Sequence, residues 1–238
     1  MVRVLVTRPE PGASRTARRL QDMGFQPILL PLTETVPLPA DAGAVPDDAV
    51  AVAVTSANAL RHAPKALIAA LAALPCLAVG KRTAETAREA GFLSVSEGSG
   101  DAEALASTLA GSLSGKTIAY LCGRVRFATF EERLKAAAVH VRAVEIYDTI
   151  ALDYSDADII ERLAGQPVEM ILLYSAKAAA AMRILIERPK PHDLFENTHF
   201  FALSGRIAAA LGDISGERMQ IAKEPSEEAL LALLRQWR

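Results

Sequence analysis

The sequence predicts an α/β fold, with parallel sheets flanked by helices, on three observations. Its short apolar runs, such as residues 50–54, 170–174 and, interrupted only by Arg3, 2–6, are continuous instead of alternating with polar positions, as strands buried on both faces are. Longer stretches of helical spacing separate these runs. The arrangement also occurs twice along the chain.

Taken in order, residues 2–6 are expected as a strand and the segment from Pro11 to Met23 as a helix, with a second strand at 26–30. Strands at 50–54 and 77–79 are each followed by helical spacing, near 57–73 and 83–90. A short strand at 93–96 precedes Asp101, which caps a helix running through Ala110. Strands at 116–121, 141–147, 170–174, 200–203 and 219–222 continue the series, with helices between them. The last helix starts at Ser226, directly after Pro225. Glu227 and Glu228 stand in its first turn, where the positive end of the helix dipole favours acidic residues.

Four blocks of the first half recur in the second in the same order. VAVTSANALR (52–61) resembles ILLYSAKAAA (171–180), and LAVGKRTAETA (77–87) resembles FALSGRIAAAL (201–211). SVSEGSGDAEAL (94–105) aligns with MQIAKEPSEEAL (219–230) without a gap. LPLTET (30–35) aligns with VEIYDT (144–149), with Leu20 and Leu134 matched in the preceding helices. Residues 1–110 and 116–238 thus read as two copies of one unit. Each copy could fold alone, or the chain could cross over after Thr35 and return near Thr149, with TETVPL and YDTIAL paired as a short ladder.

Composition narrows the function. Of 238 residues, 51% are hydrophobic and 23% charged, with a net charge of −2. That is an ordinary globular balance without the basic footprint of a nucleic-acid binder. No apolar run approaches the ~20 residues of a membrane span, and the N-terminus is too short and polar to read as a signal peptide. Two cysteines, Cys76 and Cys122, imply no disulfide framework and suit a reduced cytoplasmic setting. Gly98-Ser-Gly100 begins like a dinucleotide fingerprint, but no third glycine follows at the required spacing. The four histidines are scattered, so no metal site is expected.

The opening VLVTRPEP, the Gly24 and LPL that follow its helix, VTSANA (54–59), AVGKRTA (78–84) and EIYDT (145–149) together resemble the uroporphyrinogen-III synthases along essentially the whole chain. The resemblance implies two similar α/β domains joined by a two-stranded β linker with a cleft between, one domain formed by residues 1–36 plus 151–238 and the other by 37–150. It implies hydroxymethylbilane as substrate and uroporphyrinogen III as product, no metal or organic cofactor, and a monomer.

Such a substrate carries an acetate and a propionate on every pyrrole. In parallel sheets, ligands gather at the carboxyl ends of the strands, where helix N-termini favour anions. The cationic and hydroxyl residues at those points are Arg8, Thr55, Ser56, Lys81, Arg82, Thr83, Arg124, Arg126, Ser175, Lys177, Ser204 and Arg206. Of these, Arg8, Ser56, Lys81, Thr83, Arg124, Ser175, Ser204 and Arg206 are the substrate-binding candidates, with Asn58 and Gly80 from the matched motifs. The plain alternative is that roughly half of the charged ones touch only solvent, and that Thr83 simply caps its helix. Tyr147 matches a family tyrosine assigned as proton donor to the departing hydroxyl. Ile207 departs from the family pattern, which commonly has a threonine there. A rival reading keeps the scaffold as a non-catalytic module that binds a linear tetrapyrrole or another polyanion.

Overall fold

The computed structural model describes residues 1–126 and 128–237. In chain order the elements are β1 (Arg3–Val6), α1 (Gly12–Asp22), β2 (Gln26–Leu29), β3 (Thr33–Pro37), β4 (Ala49–Val54), α2 (Ala57–His62), α3 (Lys65–Leu71), β5 (Cys76–Ala78), α4 (Lys81–Ala90), β6 (Val95–Glu97), α5 (Ala102–Ser112) and β7 (Thr117–Gly123). They continue as α6 (Thr129–Ala136), β8 (His140–Ala151), α7 (Asp156–Arg162), β9 (Met170–Leu173), α8 (Ala176–Ile186), β10 (His199–Ala202), α9 (Gly205–Leu211), β11 (Met219–Ile221) and α10 (Glu227–Leu234). Strand positions agree with the apolar runs to within a few residues, apart from β8, which continues to Ala151. The helical stretch expected at 57–73 is two helices. Ala63, ahead of Pro64, takes the extended conformation (φ −66°, ψ 135°) that a following proline imposes.

The chain divides into two compact units: 1–34 with 150–238, and 35–149. The first unit holds a five-stranded sheet in the order β11-β10-β9-β1-β2, with every neighbouring pair parallel. Its two faces pack differently. Leu5, Ile171, Leu173, Phe200 and Ala202 meet α7, α8 and α9 on one side. Val4, Val6, Met170, Leu172 and Phe201 meet α1 and α10 on the other. Each large apolar side chain among these stabilises the unit by roughly 1.5–3 kcal/mol on burial.

The second unit holds a six-stranded sheet in the order β3-β8-β7-β4-β5-β6. Its five strands from β8 to β6 are parallel. β3 runs beside β8: Leu38 N donates to Ile146 O (2.8 Å) and Leu152 N to Leu32 O (3.0 Å), so the two segments run in opposite directions.

The duplication extends to strand register. Arg3 pairs with Gln26 and Thr117 with His140; Ile171 pairs with Phe200 and Val52 with Cys76. Leaving aside β3 at the edge, each unit therefore takes two strands from one repeat (β1 and β2, or β7 and β8) and three from the other. One alignment needs correction. The connection from β6 to the cap Asp101 is Gly98–Gly100, whereas that from β11 to the cap Ser226 has one residue more, 222–225. The ungapped match of 94–105 with 219–230 is correct at the helix and one residue out at the strand.

Candidate functional site

Leaving aside the edge strand β3, the two sheets share one arrangement, β2-β1-β9-β10-β11 and β8-β7-β4-β5-β6, which creates a switch point where neighbouring strands send the chain in opposite directions. In the first unit it lies between β1 and β9; in the second, between β7 and β4. Loops leaving the carboxyl ends of these strands diverge, which leaves room for a ligand beside them.

At the switch point of the first unit, Thr7 is fully buried and donates to Leu172 O (2.6 Å). Arg8 follows it. The Arg8 guanidinium lies 4.2 Å from the Tyr174 ring centroid, and its Nη1 is 3.1 Å from Glu227 Oε1. Glu227 Oε1 also accepts from Thr16 and from the Tyr174 hydroxyl (3.2 Å), while Oε2 accepts from Arg19 (3.0 Å). Burial alone would raise the Glu227 carboxyl. The Thr16 hydrogen bond and the Arg8 and Arg19 charges outweigh it and hold the group below its usual range. Burial, foremost, pushes the Tyr174 phenol well above its usual value. Arg8 is thus already engaged within its own unit. Ser175 caps α8, its hydroxyl accepting from Ala178 N (3.1 Å).

In the second unit, Ser56 caps α2 by accepting from Asn58 N (3.2 Å), and Asn58 Oδ1 accepts from Arg61 (3.2 Å). Thr55 Oγ1 is 2.7 Å from the hydroxyl of buried Tyr120, whose pKa desolvation raises to about 12. Arg124 and Arg126 share Glu145, with Arg124 Nε 3.1 Å from Oε2 and Arg126 Nη1 3.0 Å from Oε1. Arg126 further holds Glu131 at 2.5 Å. The hydrogen bonds from Arg126 and Arg124 lower the Glu145 carboxyl. Exposure separates the arginines: the Arg124 side chain is 54% exposed, against 22% for Arg126 and for Arg8. Arg124 is therefore the best placed of the three to meet a carboxylate in solution.

Tyr147 lies at the carboxyl end of the same sheet, half-buried. The register between β7 and β8 slips there: Cys122 pairs with Glu145, but Gly123 pairs with Tyr147. Such a bulge re-aims the side chain that follows it. Val144 and Ile146 are buried in the cluster that meets α2, α3 and α4, and Tyr147 packs against that same cluster. Of the four tyrosines, three have bonded hydroxyls: Tyr120 to Thr55, Tyr154 to Pro31 O and Tyr174 to Glu227. Among the described residues the Tyr147 hydroxyl has no hydrogen-bond partner, which leaves it available to a ligand.

The remaining candidates lie on α4 and α9. Gly80 caps α4 with ordinary extended backbone, and its need for glycine is steric: a Cβ there would stand 2.8 Å from Gly100 Cα. Gly98 N donates to Ala78 O (2.8 Å) and Gly100 N to Val79 O (2.7 Å), so these glycines fold the loop tightly over the end of β5. Lys81 is exposed in the first turn. Thr83 is buried and does not cap the helix. Its counterpart Ile207 packs into the core, which explains how an apolar residue is tolerated there. Ser204 caps α9 by position without a side-chain bond, and Arg206 is exposed beside it. Sequence reading did not single out Glu227, which joins Arg8 to Thr16 and Tyr174, or Gly123, which pairs with Tyr147. The only signal for Glu227 was its place in a first helical turn; for Gly123 there was none.

A family model described as uroporphyrinogen-III synthase HemD matches residues 14–232. The chain belongs to the uroporphyrinogen-III synthase family. No curated protein matches the sequence significantly. Among solved structures, the uroporphyrinogen-III synthetase of Helicobacter pylori 26695 is similar, with a TM-score of 0.68 at 20% identity and both chains covered completely. A mutant uroporphyrinogen III synthase from the extremely thermophilic bacterium Thermus thermophilus has a TM-score of 0.56 at 18% identity, covering 100% of this chain and 99% of its own. At these identities the likeness concerns the fold. The family is that of a cyclising lyase of tetrapyrrole biosynthesis, which closes hydroxymethylbilane to uroporphyrinogen III with inversion of the last pyrrole and release of water. The non-catalytic alternative finds no support. Among the described residues, no helix is long and apolar enough to cross a membrane.

Proposed function

We propose that Tyr147 is the proton donor of the uroporphyrinogen-III synthase reaction in this chain. The observation that carries the reading is its hydroxyl, unpartnered among the described residues, on a side chain placed by a bulge at the carboxyl end of a parallel sheet. Proton transfer to the departing hydroxyl lets the C–O bond break with its electrons, leaving water and an azafulvene. The far pyrrole attacks through its substituted carbon to give a spiro intermediate, which fragments and recloses with that ring inverted. The proton lost when the ring regains aromaticity returns to Tyr147, so the cycle balances.

The residues proposed to receive the substrate's carboxylates and polar edges are Arg8, Ser56, Asn58, Gly80, Lys81, Thr83, Arg124, Ser175, Ser204 and Arg206. Exposure favours Arg124, Lys81 and Arg206 for charge, and Ser204, whose hydroxyl makes no capping bond, for a hydroxyl contact. Arg8 serves more as a fixed positive field, because Glu227 holds it. The domains are proposed as 1–36 plus 151–238 and 37–150, a reading supported by the compact units bounded at 34/35 and 149/150. A cytoplasmic monomer completes the proposal.

Uncatalysed hydroxymethylbilane closes to the type I isomer, so a hundredfold preference for type III needs about 2.7 kcal/mol of differential barrier. Positioning and fixed dipoles supply that amount. The test adds fresh hydroxymethylbilane to the purified protein and separates the isomers by chromatography. Wild type is expected to give type III product. Tyr147→Phe is expected to lower kcat on the order of 100-fold or more, with no change in melting temperature. A Tyr147→Phe enzyme with wild-type kcat would exclude the tyrosine as donor.

A further inference from the structure

The environment of the Tyr147 ring contains two residues whose contribution the reaction alone does not explain. Gly123 is the last residue of β7, and a Cβ built on it would stand 2.7 Å from Tyr147 Cζ, 2.8 Å from Cε2 and 3.0 Å from the hydroxyl oxygen. Its φ lies outside the left-handed region, so backbone freedom does not require glycine there. The tyrosine does: the phenol end of the ring occupies the volume any side chain would need. On another side stands His62, the last residue of α2, with its ring centroid 6.1 Å from that of Tyr147 and the planes inclined by 36°. That separation is within the range of aromatic pairs. The backbone is fixed as well, since Arg124 N donates to Tyr147 O (2.8 Å) across the bulge.

We propose that Gly123 and His62 are positioning residues, floor and wall of a socket that holds the Tyr147 phenol in its productive orientation. The inference rests on the reading of Tyr147 as proton donor. Among the described residues no hydrogen bond at the tip of the phenol fixes its direction, so contacts along the ring must fix it. Burial, and then the charge of Arg61, lower the His62 imidazole below its usual value. The wall is therefore an uncharged ring at neutral pH, and its shape carries the function.

A displacement of about 1 Å costs on the order of 100-fold in rate. Gly123→Ala is therefore expected to lower kcat about 100-fold with KM changed less than about threefold, and to raise the share of type I product. In the Tyr147→Phe background the same substitution is expected to cost less than about twofold, because the group it displaces is already absent. His62→Ala is expected to lower kcat about tenfold and His62→Phe to restore it, since phenylalanine keeps the wall. Thermal melting of every variant accompanies the kinetics.

Losses that multiply in the double variant, or a Gly123→Ala enzyme with wild-type kcat, would overturn the socket. Should Gly123→Ala fail to fold, the His62 pair decides: loss in His62→Ala without recovery in His62→Phe rejects the wall. The two failures are distinguishable, because only an unaffected Tyr147→Phe enzyme removes the proton donor itself.

Discussion

Replacing Glu227 by glutamine tests the cluster at the switch point of the first unit. One carboxylate there accepts from Arg8, Thr16, Tyr174 and Arg19, and its side chain is only 21% exposed. Glutamine keeps a single acceptor oxygen and removes the charge, leaving Arg8, itself 22% exposed, without its counter-ion. Removing one partner of a fully buried pair costs about 3–5 kcal/mol, whereas exposed pairs are worth about 0.2–1. With one-fifth of each side chain in water, about 2 kcal/mol is expected. For a chain of this size that is a fall in melting temperature of about 4–8 °C. The assay is thermal unfolding followed by circular dichroism from pH 8 to pH 3. The Glu227 carboxyl is lowered in the folded state, so its contribution is complete above the unfolded value of about 4.3. It is lost as pH falls through the lower folded value. The gap between wild type and Glu227→Gln should thus stay constant down to about pH 5 and close below about pH 4. A shift under about 1 °C at pH 7, or a gap that has not narrowed between pH 5 and pH 3, would refute the reasoning.

Two stability effects follow from other parts of the fold. Arg3 is buried, with Nη1 bonded to Gln166 O (2.5 Å) and Pro167 O (2.6 Å) and Nη2 to Leu163 O (2.6 Å). Arg3→Met strands these carbonyls and is expected to cost about 3 kcal/mol, seen as a lower denaturant midpoint with kcat unchanged at 25 °C, because Arg3 opens β1 at the end away from the switch point. Gly80→Ala drives a Cβ into the Gly100 backbone and is expected to cost about 1–3 kcal/mol, with faster hydrogen exchange at the Gly100 amide as the local readout.

Local features were legible in the sequence. Asp101 and Ser226 cap the helices their neighbours suggested, and the repeated blocks correspond to strands and helices at matching places in the two units. Ala-rich spacing hid the break at Pro64, because the residues on both sides continue a helical pattern. The extra residue before Ser226 was hidden because an ungapped match of twelve positions looks complete. The cluster around Glu227 joins Thr16 of α1 with Arg8 and Tyr174 from the loops after β1 and β9, and no local pattern reports a partner 219 residues away. The bulge at Ile146 was equally silent: its cause is pairing with a neighbouring strand, and the apolar pattern of 141–147 reads the same with or without it.

The exchange of strands between repeats also bears on how the chain folds. Unit 35–149 is continuous and complete before β9 emerges during synthesis, so it forms as the chain elongates. The other unit must join β1 and β2 to strands that follow an intervening stretch on the order of 100 residues, a closure costing about 4 kcal/mol by the logarithmic law for an unstructured loop. Pairing of β3 with β8 removes most of that cost in advance, because it fixes the two ends of the inserted unit side by side. The insertion thus acts during folding as a tight turn, and the late-folding unit has an effective contact order far below the one its sequence separation suggests.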